Sequence, residues 1–266
     1  MNLARAALCL ALLLAQEKAA ASKPLDIRPA EKGWGVDGEV PKRVLDAAAS
    51  ELWKFFPDRE LKPILVEPTG GPITLFARGP KGEFQVKLAT GDTYWAQYTF
   101  QFAHEFCHIL CGYDEDPHRH KWLEETFCEI ASLFVLRRSA ETWKTKPPYA
   151  HWKDYAKSLA AYADERIKAS PLPAGKTLAD WRRDHADALA KNATDRAKNN
   201  VAAVQLLPLF EKEPEQWASV AWLNTEKLDE ATTFEQYLSA WHKNCPEKHR
   251  GFVKKIAKAL AIEIRR

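Results

Sequence analysis

The sequence lacks internal repeats, low-complexity stretches and blocks of like charge. Its 39 basic and 36 acidic residues are mixed along the chain and give a net charge of +3. That near-balance provides no reason to expect a nucleic acid or a strongly acidic partner. No serine or cysteine lies in a recognisable nucleophile motif, so the covalent chemistry of serine and cysteine hydrolases has no support here.

A long apolar run is also missing, although a short one lies near the N-terminus. Residues 1–5 carry a positive side chain, residues 6–15 are apolar, and three alanines at 19–21 resemble a cleavage site. This order predicts a signal peptide over residues 1–21 and a secreted or periplasmic protein. Because the apolar run is too short to cross a bilayer, no stable membrane insertion is expected after cleavage.

The remainder, residues 22–266, is predicted to be a single domain of the α+β class. Its first half, residues 22–112, contains an amphipathic helix and a small mixed sheet, whose predicted strands are residues 63–66, 73–77 and 83–89. Its second half, residues 113–266, has helical periodicity throughout. Predicted helices cover residues 121–136, 152–167, 178–191, 196–210, 234–241 and 252–262. Thr232 and Glu235 have the spacing of a capping box.

One pentapeptide, His104-Glu105-Phe106-Cys107-His108, lies inside the largely apolar stretch 94–110. Histidines four residues apart share one face of a helix, so both imidazoles can bind a single metal ion. Glu105 lies about 100° around that helix, where its carboxylate can take a proton from water on the metal. Zinc with three protein ligands keeps a fourth position for such a water. The pattern therefore predicts a zinc (Zn²⁺) site with its own general base.

A third zinc ligand must come from elsewhere in the chain. Glu125 is the strongest candidate, because it lies on the next predicted helix and is followed one turn later by Glu129. A carboxylate at Glu129 could accept the outer ring N–H of a ligand histidine and fix its tautomer.

With the run Trp-Leu-Glu-Glu-Thr-Phe-Cys-Glu at 122–129, the pentapeptide resembles the glutamate-ligand zincins, or gluzincins. The resemblance covers residues 94–136 and implies a zincin-like fold and a zinc metallopeptidase that acts on peptides or proteins. It also implies a residue-by-residue assignment: His104, His108 and Glu125 as metal ligands, Glu105 as catalytic base and Glu129 as outer partner.

Two departures from that family pattern leave every ligand in place. Thr126 stands where such enzymes often have glycine, and the 16 residues between His108 and Glu125 are slightly fewer than in well-known members. A three-histidine metzincin site is excluded, because it requires glycine three residues and histidine six residues after His108. His118 and His120 are therefore interpreted as solvated loop residues.

Four cysteines follow the predicted signal peptide: Cys107, Cys111, Cys128 and Cys245. Helical phase places Cys111 and Cys128 near the seam between the two motif helices, which permits a disulfide bridge in an oxidising compartment. Buried free thiols are the alternative. Sequence alone leaves both open.

Two further expectations concern the substrate. By resemblance, the strand at residues 84–89 would bind an extended peptide along its edge. Tyr149, His151 and Tyr155 are candidates by residue type for the donor that stabilises the oxyanion. Two rival functions remain: a non-catalytic binding protein on a zincin scaffold, and a zinc amidase acting on a non-peptide or cell-wall amide.

Overall fold

The computed structural model describes residues 23–264 and has an α+β fold. The predicted signal peptide lies outside the described residues. Among residues 23–264, no helix is long and apolar enough to cross a membrane.

The N-terminal half is a small mixed sheet flanked by helices. Its strands are β1 (Ile27–Pro29), β2 (Ile64–Glu67), β3 (Ile73–Leu75) and β4 (Phe84–Lys87), and helix α1 (Glu39–Trp53) connects β1 to β2. In the described part of the chain the strand order is β1-β2-β4-β3. β1, β2 and β4 run parallel, and β3 pairs antiparallel with β4.

The expectation that residues 84–89 form the substrate-binding edge is wrong. β4 is paired on both sides, because the segment before it folds back and places Ile73 opposite Lys87 and Leu75 opposite Gln85. The short strand β3 therefore covers β4 and forms the sheet edge itself. Thr74, in the middle of β3, contacts the motif helix.

The motif helix, α2 (Trp95–Cys111), is buried along most of its length because aromatic and aliphatic side chains surround it on several faces. It ends where the sequence predicts, at Gly112, whose φ of 68° is the left-handed conformation that glycine adopts without strain. The N–H of Tyr113 then bonds to the carbonyl of His108 and closes the helix end.

The second motif helix, α3 (Trp122–Thr142), packs along α2 and is apolar on nearly all sides. Helices α4 (Ala156–Ala169) and α6 (Arg196–Lys212) pack against α3. The other helices of residues 23–264 are α5 (Leu178–Lys191), α7 (Phe234–Asn244), α8 (Glu247–Ala259) and the 3₁₀ helices Ala150–Tyr155 and Pro214–Trp222. Buried apolar side chains from both halves form a shared core.

The start of α7 differs by one residue from its prediction. Thr233, not Thr232, accepts the N–H of Gln236, and the Gln236 side chain bonds back to the N–H of Thr233. The hydroxyl of Thr232 is engaged instead by Asp229 in the preceding turn. Two overlapping Thr-x-x-Glu/Gln patterns compete here, and the turn determines which one caps the helix.

Candidate metal centre

The two motif histidines lie on one face of α2, and their rings are 5.1 Å apart. Helix α3 brings Glu125 to both of them. One carboxylate oxygen lies 3.4 Å from Nε2 of His104, and the other lies 3.7 Å from Nε2 of His108. The structure thus brings the three predicted ligands together.

The opposite nitrogen of each imidazole faces a different carboxylate of α3. Nδ1 of His104 is 3.6 Å from Glu129, and Nδ1 of His108 is 2.5 Å from Glu124. Glu124 is within hydrogen-bond distance and can accept the Nδ1–H of His108, which leaves Nε2 of that ring for a metal, whereas Glu129 lies just beyond hydrogen-bond distance of His104. Sequence analysis missed Glu124, although two adjacent glutamates at the start of α3 were a usable signal.

The carboxylates shift the protonation of both rings. Burial acts to lower the pKa of His108, but the hydrogen bond and charge of Glu124 outweigh it and raise the pKa to about 10. Burial also acts to lower the pKa of His104. The contact with Glu125 and the charge of Glu129 outweigh that effect, so the pKa of His104 is raised. Each ring must release a proton from Nε2 to bind a metal, and binding will weaken in acid.

Glu105 is separate from this ligand group. Its side chain is buried, and its Oε2 accepts a 2.8 Å hydrogen bond from the hydroxyl of Thr74. The sheet edge thus holds the carboxylate in one orientation beside the histidine pair.

A cleft of about 490 Å³ opens over these groups and is lined by His104, His108, Glu105 and Glu125. One wall is formed by β3 and the chain after it, where Ile73 and Phe76 are exposed. The opposite wall includes Ala193, Thr194 and Arg196. The ligand group therefore faces a space large enough for a side chain and its neighbouring peptide groups.

The three oxyanion candidates are not among the residues that line this cleft. The Tyr155 hydroxyl accepts a hydrogen bond from the N–H of Ala96, and Tyr149 packs against Trp152. Arg196 is a donor that does line the cleft, and Tyr113 lines it too, although its hydroxyl already donates a 2.7 Å hydrogen bond to the carbonyl of Leu75. Sequence analysis missed both, because neither lies within the motif helices.

His118 is buried, contrary to expectation, and His120 is half-buried. The ring of His118 is 6% exposed and packs 4.7 Å from Tyr237, and burial lowers its pKa to about 4. Nε2 of His120 bonds to the carbonyl of Thr232. Through these contacts, both rings connect the loop between α2 and α3 to α7 and to the turn before it.

The four described cysteines are free and buried, so the Cys111–Cys128 bridge is wrong and the free-thiol alternative holds. Cys128 lies close to the histidine pair: its Sγ and one nitrogen from each of His104 and His108 all lie within 4.8 Å of one another. These three residues form a group that could hold a metal ion. Cys107 lies nearby, with its Sγ 3.9 Å from that of Cys111.

Two side chains could thus supply the third metal ligand beside the histidine pair: Glu125 from the cleft side and Cys128 from the buried side.

Comparison with protein-family models, curated proteins and solved structures finds no match to this chain.

Proposed function

We propose that this chain is an exported zinc-dependent peptidase of the gluzincin kind, with a zincin-like fold. The observation that carries the proposal is the orientation of the histidine pair: both Nε2 atoms face Glu125, and both Nδ1 atoms face other carboxylates. A pair of histidines that served only to fill a core would have no need of three carboxylates placed in this way. Under this proposal, the mature chain is a single catalytic domain from residue 22 to residue 266.

The donor set fits zinc. Zinc bonds to imidazole nitrogen and carboxylate oxygen are about 2.0–2.1 Å long, so neighbouring ligands of a tetrahedral ion lie about 3.3 Å apart. The two distances from Glu125 to the imidazoles, 3.4 and 3.7 Å, are close to that separation. The two distances involve different oxygens of Glu125, so the carboxylate would have to move for one oxygen to share an ion with both imidazoles.

When bound, zinc supplies a Lewis acid that polarises a carbonyl and lowers the pKa of water. Glu105 would accept the proton from the attacking water and return it to the departing amine. Thr74 holds the carboxylate that performs both transfers. The protein contributes the base, its orientation and the walls of the cleft.

The walls of the cleft support a peptide as the substrate. β3 ends one edge of the sheet at the cleft wall, and an extended peptide can pair with such an edge through its backbone. The exposed side chains of Ile73 and Phe76 offer apolar contacts to a peptide lying there. Peptides or proteins are therefore the proposed substrates, with β3 taking the part that sequence analysis gave to residues 84–89.

We expect the purified mature protein to contain about one zinc per chain and to cleave peptides, because His104, His108 and Glu125 would together supply the three protein ligands of a catalytic zinc. Metal content measured by mass spectrometry and products from a mixed peptide library would test both expectations. Chelation should abolish cleavage, and added zinc should restore it. A zinc-loaded protein that cleaves a cell-wall amide but no peptide, or that cleaves nothing and only binds a partner, would overturn the peptidase assignment.

We expect Thr74→Val to retain zinc and lower kcat/KM about 10-fold, because loss of a hydrogen bond to a buried carboxylate costs about 1.5 kcal/mol. The measurement is peptide hydrolysis at equal zinc occupancy. Thr142→Val is the matched control, since its hydroxyl donates a 2.5 Å bond to the buried carboxylate of Glu51. Equal losses in the two variants would show that Thr74 acts only on stability.

A further inference from the structure

The carboxylate behind His108 is held from two sides. Oε1 of Glu124 lies 2.5 Å from Nδ1 of His108, and Oε2 accepts a 2.7 Å hydrogen bond from Nδ2 of Asn224. Asn224 is oriented in turn by Tyr237, whose hydroxyl donates a 3.0 Å bond to its Oδ1. A continuous chain of hydrogen bonds therefore leads from His108 to Tyr237.

This chain joins distant parts of the sequence. Glu124 is in the first turn of α3, and Asn224 is 100 residues later, just beyond the 3₁₀ helix Pro214–Trp222. Tyr237 belongs to α7 and is 1% exposed. The C-terminal helices thus reach the candidate metal centre through polar contacts as well as through the core.

The carboxylate behind His104 has no such support. Oε2 of Glu129 is buried and has no hydrogen-bond partner among the described residues, and the gap from Glu129 to His104 is 3.6 Å. Both carboxylates are almost fully buried. Glu124 differs in having both oxygens satisfied, which removes its freedom to rotate and fixes the acceptor presented to the ring.

We propose that Asn224, held by Tyr237, is a positioning residue that fixes Glu124 and thereby directs Nε2 of His108 toward the metal. The proposal rests on the metal site of the proposed function. Asn224 supplies the N–H donor that Glu124 needs, and the hydrogen bond from Tyr237 to Oδ1 holds the amide with its NH₂ group toward that carboxylate. Asn224 thereby raises the affinity for the metal and protects the Nδ1–H of His108 from exchange with solvent.

We expect Asn224→Ala to weaken zinc binding about 10-fold, the lower end of the range for partners that orient a metal ligand. Asn224→Asp should lose at least as much, because it cannot donate and places a second carboxylate beside Glu124. Tyr237→Phe should show a smaller loss in the same direction. Zinc affinity of the full mature chain is measured by chelator competition, with thermal unfolding of each metal-free variant recorded alongside.

Asn244→Ala is the matched control, since its amide also donates to a glutamate, Glu226, at 3.3 Å, away from the residues that line the cleft. It should bind zinc as the parent does. In cobalt-substituted protein, the Nδ1–H resonance of His108 should exchange faster with solvent in Asn224→Ala, while that of His104 is unchanged. A purely structural role would not separate the two rings.

Three outcomes decide the matter. Parent-like zinc affinity and parent-like His108 exchange in Asn224→Ala and Tyr237→Phe would overturn the positioning role. Weakened zinc binding in those variants supports it even if the parent hydrolyses no peptide, an outcome that overturns only the peptidase assignment. A parent protein that binds no zinc would overturn both.

Discussion

Replacement of Glu105 by glutamine should leave zinc binding intact and lower kcat by about 10² to 10⁴-fold, the usual contribution of a positioned general base. An amide cannot accept the proton that the attacking water must lose. It can still accept the hydrogen bond from Thr74, so the local structure should be preserved. Zinc content, together with peptide hydrolysis under saturating substrate, measures the two effects separately.

Glu51→Gln provides the control for that substitution. Glu51 is equally buried, and its carboxylate pairs with Lys54 and Thr142 at a site outside the cleft lining. We expect it to lower stability without lowering kcat. If Glu105→Gln hydrolyses peptides at the parental rate, Glu105 is not the base and a different group must take the proton.

Local sequence spacing was sufficient to predict which side chains of α2 lie together in the candidate site. The histidine pair and Glu105 depend only on helical geometry, and α2 extends over the predicted stretch and stops at Gly112. Glu125 and Glu129 lie one turn apart on α3 and come near the imidazoles because α3 packs along α2, and their roles as ligand and outer partner stay predictions. Within each helix, residues close in sequence determine the relative positions of the side chains, and the packing of α3 on α2 brings the two sets together.

The supporting contacts could not be predicted in the same way. Asn224 reaches Glu124 across 100 residues, and Thr74 reaches Glu105 across 31. Such contacts depend on how whole helices and strands pack. The same limit explains the misassigned sheet edge, since a strand's position in a sheet follows from pairing order and not from its own alternation pattern. It also explains His118, whose neighbour Tyr237 comes from α7.

The identity of the third ligand decides whether the centre is suited to hydrolysis. Glu125 lines the cleft, whereas Cys128 is fully buried and does not. A metal held by His104, His108 and Glu125 would keep its open position toward the space where a peptide can lie. Ligation by Cys128 would draw the ion toward a buried side chain that does not line the cleft.

We therefore expect Glu125→Ala to weaken zinc binding more than about 100-fold, beyond the range for residues that only orient a ligand. Cys128→Ala should bind zinc nearly as the parent does, although the lost core volume will lower the temperature of unfolding. Chelator competition measures both affinities, and cobalt-substituted parent protein should lack a thiolate-to-metal charge-transfer band. The reverse pattern, with zinc lost in Cys128→Ala and retained in Glu125→Ala, would establish a two-histidine, one-cysteine site. In that case Glu125 would be left to hold the imidazoles, and the open position of the metal would no longer be directed into the cleft.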